Sequence, residues 1–258
     1  MTQLVLSEQH GEVTLLTLNR PKARNAMSLD LILAMQVAFD QCMEDSSCRA
    51  IVVRGAEGHF CSGGDVSGMT NERSVAESRR RMEIFHHLAR TIVAGPKPVI
   101  AAVEGFAAGA GFSLALNADY LVAATDAKFI SSFAKVGLQP DMGMLWTLRQ
   151  RVGLGQAKRI VATACKVEAD EALALGLVDE VVANAELLER AITIAREFCA
   201  NAPMPLAMMK RAYARGIHTF EDALRNEMDN SPALYLTKDH REAVVAFMEK
   251  RPPIFKGE

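Results

Sequence analysis

Residues 105–119, GFAAGAGFSLALNAD, constrain the possible fold more than any other stretch of the sequence, because only the final residue, Asp119, carries a charge. The stretch follows the apolar segment KPVIAAVEG, and its first half is mainly glycine and alanine. This pattern predicts a buried strand, a glycine-rich turn and the start of an apolar helix. The rest of the chain must therefore supply a core that covers this turn.

The glycine-rich turn has several uses in proteins, and two of them do not match this sequence. A dinucleotide-binding turn would need a third glycine at Leu114, after Gly109 and Gly111. A Walker-A loop would continue into Gly-Lys-Ser or Gly-Lys-Thr, which is missing here. Two uses remain open: close packing of helix on strand, or a helix N-terminus whose bare N–H groups hold an oxyanion.

A second turn of the same character lies at residues 59–66, HFCSGGDV, after the apolar segment RAIVVRG. Its Ser62, Gly63 and Gly64 present bare backbone, and Asp65 is placed to end a turn or cap the next segment. Two turns at the ends of two apolar strands could converge on one carbonyl oxygen. Cys61 lies in the same turn, which leaves a nucleophilic thiol as a less favoured alternative.

The order of apolar segments indicates an α/β core followed by a helical region. Segments such as EVTLLTLNR, RAIVVRG and DYLVAAT alternate with two helical patterns, and Ser28 is placed to cap the first helix. Continuous apolar runs of this kind predict a mainly parallel sheet covered on both faces. After about residue 145, helical patterns follow one another, interrupted only by LVDEVV.

Composition narrows the functional classes. The 258 residues are 50% hydrophobic with a net charge of −2, and the charges are interspersed, unlike the basic stripe of a nucleic-acid binder. We expect no membrane span, since no apolar run is long enough. We also expect no signal peptide, since the N-terminus lacks a basic segment followed by an apolar one. Five cysteines without a CxxC pair predict free thiols in a reducing cytoplasm, and the scattered histidines suggest no metal site.

Five segments in order, RPKARNAMS, HFCSGGDV, KPVIAAVEGFAAGAGFSLALNAD, KVGLQPDMG and FMEKRPPIFKG, resemble the crotonase (enoyl-CoA hydratase/isomerase) superfamily over essentially the whole chain. The resemblance implies an α/β fold, a spiral of ββα units with a C-terminal helical region. It divides the chain into a core at 1–195 and a trimerisation and CoA-covering region at 196–258. It also implies a homotrimer or dimer of trimers acting on acyl-CoA thioesters, with no separate cofactor because coenzyme A enters with the substrate.

The resemblance also implies functional residues. The backbone N–H groups of Gly64 and Ala110 correspond to the family's oxyanion hole, which holds the thioester oxygen as an enolate forms.

The contacts to coenzyme A carry over to other positions. Lys22 and Arg24 correspond to phosphate-binding residues, and Ser62 to the residue whose carbonyl binds adenine. Phe255 and Lys256 correspond to a terminal pair that reaches CoA from a neighbouring subunit.

The sequence departs from the hydratases at both of their catalytic glutamates, which align with Ser113 and Phe133. One acid remains nearby, Asp141 in GLQPDMG. From local pattern alone, an Asp after Pro140 is typical of a helix cap. The superfamily's Δ3,Δ2-enoyl-CoA isomerases, and the isomerase of bacterial phenylacetate breakdown, carry a single acid at this position. The resemblance therefore implies a double-bond shift with Asp141 as the base, in a pocket that Phe133 helps to keep apolar.

Three alternatives stay open at the level of sequence. A hydratase or another CoA-thioester enzyme is one, and a non-catalytic acyl-CoA binder is another. A dehalogenase-like reaction would pair Asp141 with a histidine that aligns with His86, although His86 is also typical of an ordinary helix-surface residue. The acyl pocket itself is expected to use residues between Asp65 and Leu88.

Overall fold

The computed structural model describes residues 3–65, 67 and 73–258, which form nine strands and nine helices. The strands are Val5–His10 (β1), Val13–Leu18 (β2), Ala50–Gly55 (β3), Val99–Val103 (β4), Phe106–Ala108 (β5), Tyr120–Ala124 (β6), Lys128–Ile130 (β7), Lys166–Glu168 (β8) and Glu180–Val182 (β9). The helices are Leu29–Glu44 (α1), Val75–Ala94 (α2), Ala110–Leu116 (α3), Met144–Thr163 (α4), Ala169–Ala174 (α5), Leu187–Cys199 (α6), Pro203–Arg215 (α7), Phe220–Leu234 (α8) and Lys238–Glu249 (α9). In these residues no helix is both long and apolar enough to cross a membrane.

The main sheet has six strands in the order β1-β2-β3-β4-β6-β9. Only β1 and β2 pair antiparallel; the other four pairs are parallel. One row of paired residues crosses its centre, from Leu16 to Val53 to Ala101 to Leu121. The mainly parallel sheet expected from the continuous apolar runs is confirmed.

Helices cover the sheet on both faces, which is why its inner strands carry continuous apolar runs. Residues such as Ile51 and Val53 face the large core beneath α1 to α4. Their neighbours Ala50 and Val52 face a second core, which α6 closes. Ser28 caps α1 as expected, since its side chain accepts a hydrogen bond from the N–H of Leu31.

A second sheet of three strands, β5-β7-β8, lies beyond the carboxyl ends of the main strands. It makes the expected ββα repeat visible: β4 and β5 lead into α3, and β6 and β7 lead towards α4. The short strands β5 and β7 carry the chain from the main sheet towards a helix, whereas β8 links α4 to α5. The glycine-rich turn at 109–111 follows β5, and the turn at 59–65 follows β3 and pairs with β5 through Cys61 and Ala107.

The C-terminal region consists of α7, α8 and α9. The expected boundary between residues 195 and 196 falls inside α6, which continues to Cys199 because its apolar face packs on the sheet. In contrast, α8 buries none of its residues, and α9 leaves Phe247 and Met248 85% and 78% exposed.

A buried ion pair holds α7 against the core. The ammonium of Lys210 donates to the carboxylate of Asp119, to the carbonyl of Ile92 at 3.0 Å and to that of Lys97 at 2.8 Å. Asp119 also accepts from the N–H of Val99 at 2.8 Å. This network joins α7 to the end of α2, to β4 and to the residue that precedes β6.

We expect the free energy of unfolding of the Lys210→Met variant to be about 3 kcal/mol lower than that of wild type, because the substitution leaves Asp119 buried without its cation. Urea denaturation at one fixed protein concentration measures this. Lys158→Met, a change at an exposed lysine of α4, is the matched control and should have little effect. A loss no larger than that of the control would contradict the anchoring role.

Candidate active site

The two glycine-rich turns are held side by side by Cys61. Its N–H donates to the carbonyl of Phe106 at 2.9 Å, and its carbonyl accepts from the N–H of Ala108 at 2.9 Å. Gly111 allows the close approach, because a Cβ there would lie 2.4 Å from the Cys61 carbonyl oxygen and 2.8 Å from its sulfur. The two turns therefore converge, as the sequence suggested.

The backbone N–H groups of Ala110 and Gly64 both lack a hydrogen-bond partner at this junction among the described residues. The N–H of Gly109 donates to Ile130, which leaves the N–H of Ala110, the first of α3, without a carbonyl partner among the described residues. On the other turn, Gly63 and Asp65 both bond to the backbone of Met27, while the N–H of Gly64 between them has no described partner. Free N–H pairs of this kind suit a developing negative charge on oxygen.

A cavity of about 520 Å³ opens over these donors. Ser62, Gly64, Ala110, Phe133 and Asp141 all line it, so five of the site residues predicted from the sequence meet in one place.

The opposite wall of this catalytic cavity comes from one face of α2, through Ser78, Arg81, Met82 and Phe85. Their spacing of three and four residues is the signal in the sequence that could have identified them. They fall within the span expected to form the acyl pocket; residues 66 and 68–72 of that span lie outside the described residues.

Asp141 faces the cavity because of the backbone that follows it. Met142 and Gly143 both have positive φ, 46° and 82°, and together they reverse the chain before α4 begins at Met144. Positive φ is uncommon for a residue with a side chain. The N-cap of α4 is Gly143, with no side-chain cap bond, so the helix-capping interpretation of Asp141 is wrong.

The surroundings of Asp141 alter its proton affinity. Burial raises the pKa of its carboxyl group to about 6, while the nearby Ser113 hydroxyl and the residue's own backbone N–H act in the opposite direction. Its Oδ1 atom is buried and has no hydrogen-bond partner among the described residues. The group is therefore a carboxylate with an unused lone pair and a pKa close to neutrality.

No second acid lines this cavity among the described residues. The two positions that align with hydratase glutamates carry a fully buried Ser113 on α3 and a buried Phe133 in the 3₁₀ turn Ser132–Val136. A Cβ on Gly109 would lie 4.0 Å from the Phe133 ring, which places that ring beside the glycine-rich turn. The cavity thus combines one carboxylate with a largely apolar surface and two arginines, Arg73 and Arg81.

The candidate CoA residues form two groups. Ser62 lines the catalytic cavity, and its N–H donates to the carbonyl of Arg24 at 3.0 Å, so the exposed Lys22 and Arg24 lie next to the cavity mouth. Phe255 and Lys256 lie elsewhere, on the C-terminal tail, where the N–H of Lys256 donates to Asp239 at 2.8 Å. Within one chain the tail does not reach the catalytic cavity.

His86 and Cys61, the two other candidates from the sequence, are not placed to react in this cavity. His86 is exposed and lines a different cavity, on the other side of Met142. Burial raises the pKa of the Cys61 thiol to about 12, which makes it a poor nucleophile and a packing residue. Within the described ranges, no group of three or more histidine, cysteine or acidic side chains could hold a metal ion.

The raised pKa of Asp141 generates a test that needs no substrate. A value near 6 when folded, against the ordinary 3.8, means that the ionised carboxylate destabilises the fold by about 3 kcal/mol above pH 6. We expect Asp141→Asn to be more stable than wild type by up to about 3 kcal/mol at pH 8, and by about half of that at pH 5. Urea denaturation at the two pH values measures this.

The exposed Asp170→Asn variant is the control for that experiment, since its carboxyl group is not buried. A gain for Asp141→Asn that is equal at both pH values would show that ionisation of a buried acid is not its cause.

Comparison with known proteins agrees with this geometry. The model of the enoyl-CoA hydratase/isomerase family matches residues 8–258. A short-chain-enoyl-CoA hydratase from Clostridium acetobutylicum is 36% identical over 96% of this chain and 95% of its own length. A 1,2-epoxyphenylacetyl-CoA isomerase from Escherichia coli is 32% identical over the full length of both chains.

Solved structures show the same fold. The crystal structure of an enoyl-CoA hydratase from Bacillus anthracis matches with a TM-score of 0.93 at 30% identity, covering 99% of this chain and all of the other. With two converging glycine-rich turns, a ββα spiral and matches along its whole length, the chain is a crotonase-fold member of the enoyl-CoA hydratase/isomerase family.

Proposed function

We propose that this protein is an enoyl-CoA isomerase that moves a double bond from the 3,4 to the 2,3 position of an acyl-CoA thioester. The observation that supports it best is the pairing of one buried carboxylate, Asp141, with the two unpartnered N–H groups of Gly64 and Ala110 in a single cavity. The acyl group is aliphatic or derived from a ring.

The reaction needs one base and one oxyanion site. The thioester oxygen accepts hydrogen bonds from Gly64 and Ala110, which stabilise the negative charge as Asp141 removes a proton from C2. The charge then spreads over the dienolate from oxygen to C4. Asp141 returns the proton to C4, so that no second acid and no water enter the reaction.

Burial of Asp141 serves this role in two ways. It raises the pKa of the carboxyl group towards the pH at which the group must both take and give a proton. The apolar wall formed by Phe133, Met82 and Phe85 also excludes water, which would otherwise add to the conjugated product.

Hydration is the main competing reaction, because several relatives bear the name enoyl-CoA hydratase. Hydration requires one group to activate water and another to protonate C2. Ser113 and Phe133 stand where the second acid would be needed, so Asp141 would have to do both.

A dehalogenase-like reaction and a purely binding role both fit the geometry less well. The dehalogenase-like reaction would need His86 beside Asp141, and His86 lines a separate cavity. A binder without catalysis would have no use for a buried, unpartnered carboxylate, whose ionised form opposes folding.

Coenzyme A is proposed to lie across Ser62, with its phosphates near Lys22 and Arg24, which are exposed beside the cavity mouth. Phe255 and Lys256 are proposed to reach the CoA of a neighbouring subunit, since they lie away from the cavity of their own chain.

Self-association as a trimer, or as a dimer of trimers, is part of the proposal. The apolar side chains on α8 and α9, among them Phe220, Met228, Phe247 and Met248, are largely exposed in the single chain. Large apolar side chains exposed in this number on two helices are typical of an interface between subunits.

An absorbance assay tests the isomerase proposal. Wild-type enzyme with 3-hexenoyl-CoA should produce the conjugated 2-enoyl thioester, and Asp141→Asn should lower kcat by about a thousandfold, since the amide cannot accept the proton. Asp170→Asn is again the matched control. The same samples given 2-hexenoyl-CoA measure hydration, so hydration without isomerisation would favour a hydratase, and full activity in Asp141→Asn would exclude Asp141 as the base.

Sedimentation analysis tests the interface. We expect wild type to sediment as a trimer or larger assembly and Phe247→Asp to dissociate at micromolar concentration, because a charge cannot be buried without a partner at the interface. Val75→Asp changes an apolar residue that is 72% exposed on α2 and should leave the assembly intact. Dissociation by both variants, or by neither, would contradict an interface on α9.

A further inference from the structure

A second cavity, of about 680 Å³, lies behind the catalytic one, between α2, α4 and α7. At two places, residues that are neighbours in the chain line the two different cavities. Phe85 lines the catalytic cavity and the next residue, His86, lines the second; Asp141 lines the first, and Met142 lines the second. Methionine is the most adaptable of the apolar side chains, so Met142 is suited to let a chain pass.

Asn117 marks the floor of the second cavity. It follows the last turn of α3 and is only 3% exposed, yet both its amide nitrogen and its amide oxygen lack a hydrogen-bond partner among the described residues. A buried amide without partners costs free energy, and such groups in folded proteins call for an explanation. Both atoms have less than 1 Å² of accessible surface, so a polar group of a ligand would supply the missing partner once the side chains that cover the amide move aside.

The charges around this cavity all have one sign. Arg90 of α2 and Arg211 and Arg215 of α7 line it, and no carboxylate does so among the described residues. None of the three guanidinium groups forms an ion pair with a described acid. Guanidinium groups donate only, and they bind carboxylates especially well.

Apolar side chains complete the lining, notably Val93, Met142 and Trp146. The cavity therefore combines a hydrocarbon surface with an amide donor and three cations, a combination that matches a carbon chain ending in a carboxylate. The helix α3 joins the two sites: Ala110 at its start faces the catalytic cavity, and Asn117 just beyond its end faces the second. At the rise of an α-helix the two residues are about 10 Å apart, the scale of a medium-length acyl chain.

We propose that the second cavity binds a carboxylate at the far end of the acyl group, so that the preferred substrates are CoA thioesters of dicarboxylic acids. This rests on the proposed function, because it takes the catalytic cavity to hold the thioester end. Asn117 donates to the distal carboxylate, and Arg90, Arg211 and Arg215 neutralise it.

Isothermal titration with saturated thioesters tests the subsite without any turnover. Succinyl-, adipoyl-, suberoyl- and sebacoyl-CoA are each compared with the monocarboxylic thioester of the same length. We expect adipoyl-CoA or suberoyl-CoA to bind about tenfold more tightly than hexanoyl-CoA or octanoyl-CoA, as hydrogen bonds to a charged group provide. Added salt should reduce this preference because the arginines are partly in solvent.

Two variants assign the preference to the second cavity. Asn117→Leu and the double variant Arg211→Gln/Arg215→Gln should each reduce the ratio of dicarboxylic to monocarboxylic thioester affinity to near one. The double variant changes only exposed residues, so it tests the proposal even if Asn117→Leu folds poorly. Arg149→Gln, at an exposed arginine of α4 that does not line the cavity, is the matched control and should retain the ratio.

Three outcomes overturn the proposal. One is equal affinity within every pair in wild type. Another is a preference that survives both variants but is lost in Arg81→Gln, which would place the carboxylate in the catalytic cavity. The third is that free adipate binds and is weakened by the same variants, while adipoyl-CoA binds no more tightly than hexanoyl-CoA. That result would make the cavity a carboxylate site separate from the acyl-CoA site. If the protein prefers dicarboxylic thioesters but isomerises no 3-enoyl-CoA, the proposed subsite is supported and only the proposed isomerase activity is contradicted.

Discussion

The short pairing of Cys61 with Phe106 and Ala108 is the interaction on which the active site depends. It joins two turns that are far apart in the sequence, and it does so with backbone hydrogen bonds whose geometry varies little. Because these bonds fix the residues that precede Gly64 and Ala110, both free N–H groups keep their direction before any substrate arrives. A preorganised oxyanion site costs no reorganisation during the reaction, which is the main advantage of backbone donors over mobile side chains.

The position of Asp141 opposes the stability of the fold. The carboxylate is buried, it has an unpartnered oxygen, and it is followed by a methionine in the left-handed region. Each of these features is unfavourable for folding, and together they hold a carboxyl group of raised pKa in the same cavity as the free N–H groups of Gly64 and Ala110. The strongly apolar core under α1 to α4 supplies the stability that such an arrangement requires. Ser113, in place of an acid on α3, leaves Asp141 as the one carboxylate among the described residues that line the cavity.

Sequence patterns were sufficient for the architecture and for the residues that converge, but not for the shape of the pocket. Continuous apolar runs predict parallel strands because a strand buried on both faces cannot alternate, and the cap at Ser28 is a local hydrogen bond. The strands β5, β7 and β8 have three residues each, which is too few for a period to be read. The interruption of α4 at Gly153 and the course of α6 to Cys199 depend on tertiary packing. Local pattern also favoured a cap at Asp141, because the reversal through Met142 and Gly143 leaves no clear trace in the residue types.

The environment of Asn117 could not be predicted from the sequence. In the sequence it is one amide in an apolar helix, and nothing local distinguishes it from a residue that caps the helix end. In the structure the backbone N–H of Asn117 makes the C-terminal bonds of α3, while its side chain remains buried and unpartnered. In the proposed complex, the same seven-residue helix begins at the donor for the thioester oxygen and ends at the donor for the distal carboxylate. If one rigid helix sets the distance between the two, the length of the acyl chain is selected by the fold itself, and a change in the length of α3 would alter specificity without changing the chemistry.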